Sequence, residues 1–262
     1  MNSFEFVFLG TCACNYARYE HRFFEDLKDT FDNDARRAAA MLIDGHIMVD
    51  CGPHAADALH IVGASGADIT DIVITHLHDD HFVPENIERI ALLREHPLNL
   101  WVSEDAEVPT MRNVSLCRMK KFERYELGAG LSVVGLLANH DPQTSPQHLL
   151  FEKNGKKLFY GCDGAWMMTE TFNYLRDKKL DAVVFDATVG DYEGDYRMAE
   201  HNSIPMIRLM IPSLKAKEII TDSTEIYLSH IAPRLHKSHA ETVDIVKNDG
   251  FKVAFDGMGI SI

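Results

Sequence analysis

The sequence predicts one α/β domain, and three observations support that class. Short strand-like apolar runs alternate with helical patterns from end to end. No stretch rich in Pro, Gly or Ser divides the 262 residues, and no repeat recurs at a fixed period. An apolar fraction of 46% with 25% charged residues belongs to a chain able to bury a large core, which excludes low-complexity disorder, collagen and coiled coil. Residues 1–262 therefore read as a single domain with one insertion, at about 11–37.

The elements follow in order. Phe4 to Leu9 is an apolar strand ending at Gly10, and Met41–Ile43 with Ile47–Val49 flank Asp44-Gly45 as a hairpin. Asp71 to Thr75 reads as a buried strand. Pro84 to His96 reads as a helix with Pro84 in its first turn and Ile87, Ile90, Ala91 and Leu93 on its inner face. Further strands are predicted at Leu98–Val102, Leu131–Leu136, His148–Phe151, Lys157–Tyr160, Ala182–Phe185, Glu225–Leu228 and Val253–Phe255. Helices are predicted at Met167–Lys178, Ser203–Lys217 and Ser238–Asn248, the second kinked or shortened by Pro212. Met206, Ile207, Leu209 and Met210 form a Met-rich face that reads as core or as a homodimer contact. The segment Thr11 to Arg37 mixes five aromatic residues with many charges and reads as a lid, a binding loop or an insertion with its own helix.

Charge and cysteine usage narrow the function. A net charge of −14 repels polyanions, which argues against nucleic-acid partners and anionic membranes. No apolar run approaches the ~18 residues of a transmembrane helix, and Glu5 in a start without a basic region argues against a signal peptide. Five Cys, an odd number, fit a reducing cytoplasm better than a disulfide framework. Cys12 and Cys14 form a C-x-C pair that reads better as two small thiols than as a metal site. Arg36 and Arg37 read as a solvated face, with phosphate binding as the alternative, and His236 and His239 read as surface residues.

The 14 His residues are the unusual feature, and their placement is not random. Thr75-His76-Leu77-His78-Asp79-Asp80-His81 holds the pattern H-x-H-x-D-H directly after a buried strand. Composition alone would produce it at roughly 10⁻⁵ per window. In an extended segment residues i and i+2 project to one side, so His76 and His78 can reach one ion. The turn toward Pro84 then lets Asp80 and His81 face a second. Imidazole and carboxylate together suit Zn²⁺ first, with Mn²⁺ or Fe²⁺ also fitting.

With this motif the sequence resembles the metallo-β-lactamase-fold hydrolases. The resemblance implies a four-layer αββα sandwich of mixed sheets flanked by helices. It also implies that His140, after Leu131–Ala138, completes a first ion site with His76 and His78. His230, after Ile226–Ser229, would complete a second with Asp80 and His81, and Asp163, after Leu158–Cys162, would bridge the two. Asp50 sits at a strand end near the metals, where it either accepts the outer ring N–H of a ligating His or simply forms the turn before Gly52.

Phe8-Leu9-Gly10-Thr11 and Phe159-Tyr160-Gly161-Cys162-Asp163-Gly164 look like the phosphodiesterase branch, which holds tRNA 3′-processing endonucleases and phosphoribosyl cyclic phosphodiesterase. There a His placed as His201 is, after Phe185-Asp186-Ala187-Thr188, serves as acid or transition-state stabiliser; the alternative is a His that merely starts a helix. The resemblance thus implies attack on a small or cyclic phosphodiester by a hydroxide bridging two divalent ions, with His201 and Asp80 assisting proton movement. A lactonase or thioesterase on the same site is the alternative, an RNA-processing nuclease a weaker one, and a flavodiiron-like redox protein the third. Two such ions would bring the net charge to about −10 and concentrate positive field at one point, which favours a small anionic substrate over a polymer.

Overall fold

A computed structural model describes residues 3–13 and 33–262. Cys14 and most of the predicted insertion lie outside the described residues. Two seven-stranded mixed sheets face one another. The first contains β1 (Glu5–Gly10), β2 (Ala40–Ile43), β3 (Ile47–Val49), β4 (Asp71–Val73), β5 (Leu98–Ser103), β6 (Val114–Met119) and β14 (Gly259–Ser261), in the order β14-β1-β2-β3-β4-β5-β6. The second runs in plain sequence order: β7 (Arg124–Gly128), β8 (Leu131–Leu137), β9 (Gln147–Lys153), β10 (Lys156–Gly161), β11 (Ala182–Asp186), β12 (Glu225–Ser229) and β13 (Phe251–Val253). β3 to β6 pair in parallel, as do β10 to β13.

Strict alternation of side chains builds the layers. Met41, Ile43, Val49, Val73, Val133, Leu149, Phe151, Tyr160, Val184 and Tyr227 point between the sheets into one core. Their neighbours Val134, Leu136, Leu150, Phe159, Val183 and Leu228 face outward and are covered by helices α3 (Thr169–Leu175), α4 (Ile204–Ala216) and α5 (His239–Val246). On the other side Leu42, Met48, Ile72 and Leu100 pack under α1 (Ala55–Ile61) and α2 (Pro84–Ala91). The result is the four-layer αββα arrangement. Burial on both faces is why these strands read as continuous apolar runs. Phe8 is fully buried in the inner core, edge-on to Phe6 at 6.0 Å and 5.9 Å from Tyr227. Phe8→Ala is therefore expected to cost about 3–5 kcal/mol in urea unfolding, and a loss below about 1 kcal/mol would mean that the layer repacks.

Several sequence expectations need correction. α2 stops at Ala91 rather than His96, leaving Leu93 63% exposed. α4 continues through Pro212 to Ala216, capped by Ser203, whose hydroxyl accepts the Met206 N–H. Its Met206, Ile207 and Met210 are core, whereas Leu209 is 69% exposed. β6, β7 and β14 carry exposed or half-exposed residues at sheet edges, so they lack the apolar run that marks the central strands. Arg36 and Arg37 are not a solvated face: they are 3% and 2% exposed. Arg36 Nη1 donates to Thr11 Oγ1 at 2.6 Å, and the Arg37 guanidinium lies 3.6 Å from Asp256, so both arginines knit the exit of β1 to the segment after β13. No described helix is long and apolar enough to cross a membrane.

Candidate metal centre

Parallel pairing places the C-terminal ends of β3, β4, β10, β11 and β12 along one edge of the sandwich. Each ends in a polar residue of the same cluster: Asp50, the Thr75–His81 turn, Asp163, Asp186 and His230. β8 runs antiparallel to β9 and so delivers His140 to the same edge. Register therefore gathers residues up to 180 positions apart in sequence.

The structure brings together all seven predicted metal ligands. His76 Nε2 lies 2.9 Å from His78 Nδ1, and His78 Nδ1 lies 3.1 Å from His140 Nε2. His81 Nε2 lies 3.3 Å from both His230 Nε2 and Asp80 Oδ2, and Asp80 Oδ2 is 3.7 Å from His230 Nε2. Asp163 Oδ2 lies between the two sets, 3.6 Å from His140, 3.8 Å from His76, 3.3 Å from His230 and 3.9 Å from His81. All seven are buried except His78, whose side chain is 35% exposed.

The outer ring nitrogens explain what this packing is for. A neutral imidazole carries one N–H, and four of the five histidines direct it away from the cluster. His81 Nδ1–H donates to Asp50 Oδ2 at 2.8 Å, and His140 Nδ1–H to the Glu200 carbonyl at 3.2 Å. Thr75 donates its hydroxyl proton to Asp50, so its oxygen accepts His76 Nδ1–H at 3.0 Å. Thr188 Oγ1 donates to the His230 carbonyl at 2.9 Å and accepts His230 Nδ1–H at 2.7 Å. The inner nitrogens of the neutral rings then present lone pairs toward one another, while Asp80 and Asp50 raise the His81 pKa well above the ordinary value against its burial. Both Asp80 carboxylate oxygens and Asp163 Oδ1 are buried with no hydrogen-bond partner. Burial opposes ionisation of Asp163, but the positive charge of a neighbouring histidine, His201 foremost, outweighs it and holds its carboxyl well below the usual carboxylate range. Burial likewise keeps His76 and His140 neutral. Converging lone pairs and orphaned carboxylate oxygens repel unless a cation lies among them. Donors on a tetrahedral ion with bonds of ~2.0–2.1 Å are about 3.3 Å apart, close to the spacing seen here. The residues fit a divalent metal centre.

Asp50 holds His81 from outside the cluster, and it accepts the Thr75 N–H at 2.8 Å as well. His201 stands at the cluster's edge, stacked on His230 with centroids 5.6 Å apart. Its Nδ1–H donates to Asp186 Oδ2 at 2.8 Å, and Asp163 Oδ1 lies 2.7 Å away out of line. Burial opposes the charged ring, yet Asp163 and Asp186 raise its pKa well above the ordinary value. Sequence reasoning missed Asp186, which is fully buried and also accepts the Gly164 and Thr188 N–H groups at 3.1 and 2.8 Å. The available signal was positional: like Asp50 and Asp163, it ends an apolar strand. Thr75 and Thr188 were missed because a strand-end Thr has no distinctive pattern. Neither thiol beside the centre belongs to a His/Asp group close enough to share an ion, and burial pushes the Cys51 pKa up to about 12 and that of Cys162 also upward.

His236, expected at the surface, is partly buried and donates Nε2–H to the Ala187 carbonyl at 2.6 Å. Burial lowers its pKa from 6.5 to about 4. A histidine depressed in the folded state adds stability above its unfolded value, and that stability is lost as pH falls from about 6.5 through about 4. His236→Gln, which can keep the donor, is expected to reduce the acid loss by up to about 3 kcal/mol in chemical denaturation at pH 4.5 against pH 7. Identical pH profiles would refute this.

Comparison with known proteins agrees with this fold. Residues 29–107 match the family profile described as Anti-Pycsar protein Apyc1. The Anti-Pycsar protein Apyc1 of Paenibacillus sp. (strain J14) is 27% identical over 158 residues, which span 52% of this chain and 61% of that protein. Among solved structures, the metallo-β-lactamase fold protein YhfI of Bacillus subtilis superposes with a TM-score of 0.72 at 11% identity, covering 100% of both chains. A diphosphatase of the PhnP family superposes with a TM-score of 0.71 at 18% identity, over 100% of this chain and 98% of its own. The chain therefore has the metallo-β-lactamase fold.

Proposed function

We propose that the protein is a metal-dependent phosphodiesterase that holds two divalent ions, Zn²⁺ by preference, and hydrolyses a small or cyclic phosphodiester. The observation that carries this reading is the convergence of ligand nitrogens from both sets on Asp163 Oδ2, with His201, backed by Asp186, beside them. His76, His78 and His140 would hold one ion, Asp80, His81 and His230 the other, and Asp163 Oδ2 would touch both. The ions, when bound, supply Lewis acidity that polarises the phosphoryl group and lowers the pKa of the attacking water.

The chain's own residues do the rest. Asp50, Thr75, Thr188 and the Glu200 carbonyl fix the tautomers, so the ligands need no reorganisation. Asp80 is a ligand first, and any proton it carries is secondary to that task. Asp186 holds His201 Nδ1, which leaves Nε2 as the atom able to donate to a phosphoryl oxygen or protonate a departing alkoxide. A phosphoryl transition state spreads negative charge over several oxygens, and a cationic donor beside the ions answers that charge. The likeness to a PhnP-family diphosphatase supports phosphorus as the reacting centre. A net charge of −14 around a local positive field supports a small anion over a polynucleotide.

The test is a comparison of substrates. Zinc-loaded protein is assayed on bis-p-nitrophenyl phosphate beside a lactone and a thioester. Phosphodiester turnover is expected. Turnover of the lactone or thioester with none of the phosphodiester would overturn the reading in favour of carbonyl chemistry.

A further inference from the structure

We propose that Thr188 is a positioning residue for the ion position formed by Asp80, His81, His230 and Asp163, an inference that rests on the two-ion reading above. Three observations converge on its hydroxyl. It accepts His230 Nδ1–H at 2.7 Å, which places the lone pair of His230 on Nε2, facing His81 and Asp163. It donates to the carbonyl of the same residue at 2.9 Å. His230 sits in the left-handed backbone region with φ of 56°, a conformation that is strained for a residue bearing a Cβ and persists only where surrounding contacts impose it. One hydroxyl thus grips both ends of the ligand, its ring and its strained backbone.

Thr188 is itself held rigid. Its side chain and N–H are buried, and the N–H donates to Asp186 Oδ1 at 2.8 Å. Asp186 Oδ2 takes the proton of His201. The carboxylate therefore orients His201 through one oxygen and, through Thr188 and the other oxygen, His230. The first ligand set has no comparable contact to Thr188: its outer nitrogens rest on Thr75 and the Glu200 carbonyl, while His78 Nε2 lies 3.6 Å from the half-exposed Asp141. A change at Thr188 should therefore weaken one ion and spare the other.

The experiment is chelator competition on the zinc-loaded full-length protein, with heteronuclear NMR of the ring nitrogens. Thr188→Val keeps the shape and removes the hydroxyl, whereas Thr188→Ser keeps the hydroxyl. In Thr188→Val one ion is expected to bind as in wild type and the other about 10- to 100-fold more weakly, with the Nδ1–H signal of His230 lost. Thr188→Ser should restore both. Equal weakening of the two ions, or none, would overturn the proposal. A wild type that holds one ion would overturn the two-ion reading instead. The role of Thr188 would then stand if Thr188→Val weakens that ion and Thr188→Ser restores it, and fall if neither occurs.

Discussion

Asp163→Asn is expected to lower kcat/KM for a phosphodiester by about three powers of ten, because a metal centre contributes several kcal/mol of charge stabilisation and each ~1.4 kcal/mol is a factor of ten. Asp163 Oδ2 lies within 3.9 Å of four ligand nitrogens drawn from both sets. The amide keeps the shape but removes the charge that would balance the two proposed cations, and it would present them either a neutral carbonyl oxygen or an NH₂ donor in place of a carboxylate oxygen. Both ions should therefore bind more weakly. Metal content by atomic emission and steady-state rates on bis-p-nitrophenyl phosphate check this together. Full metal content with wild-type rates would remove Asp163 from the centre.

His201→Ala is expected to behave differently. Its Nδ1 is committed to Asp186, so metal content should be unchanged while kcat falls about 10²- to 10⁴-fold. The leaving group separates its two candidate tasks. An alkoxide needs a proton to depart, whereas p-nitrophenolate does not. If His201 is the acid, the loss should be large for an alkyl phosphodiester and small for bis-p-nitrophenyl phosphate. If it neutralises phosphoryl charge, the loss should be equal. Loss of metal with loss of rate would make His201 a ligand, which its closeness to Asp163 makes the sharpest competing outcome.

Much of the centre was legible in the chain because one turn encodes most of it. His76, His78, Asp80 and His81 lie within six residues, and local backbone geometry alone lets them face common points. The central strands were legible for a related reason. Buried on both faces, Ala182–Phe185 and Ile226–Leu228 had to be apolar, and apolar runs are visible. β6 and β7 were not, since an edge strand can carry Arg118 or Glu126 on its open face and look like a loop.

Chemical type, the His/Asp turn and the central strands of the core were thus determined by local sequence, through residue identity and period. What only the tertiary structure decided was partnership. Asp50 meets His81 and Thr188 meets His230 where neighbouring strands end, and Asp186 meets His201 from the segment before α4. Arg36 and Arg37, solvated on a sequence reading, are enclosed by Thr11 and Asp256. Hydrogen bonds between residues far apart in the chain depend on strand register and on the stacking of two sheets. Neither leaves a mark on the residues that share the bond, because a buried carboxylate is chemically the same residue as an exposed one until the fold supplies its partner.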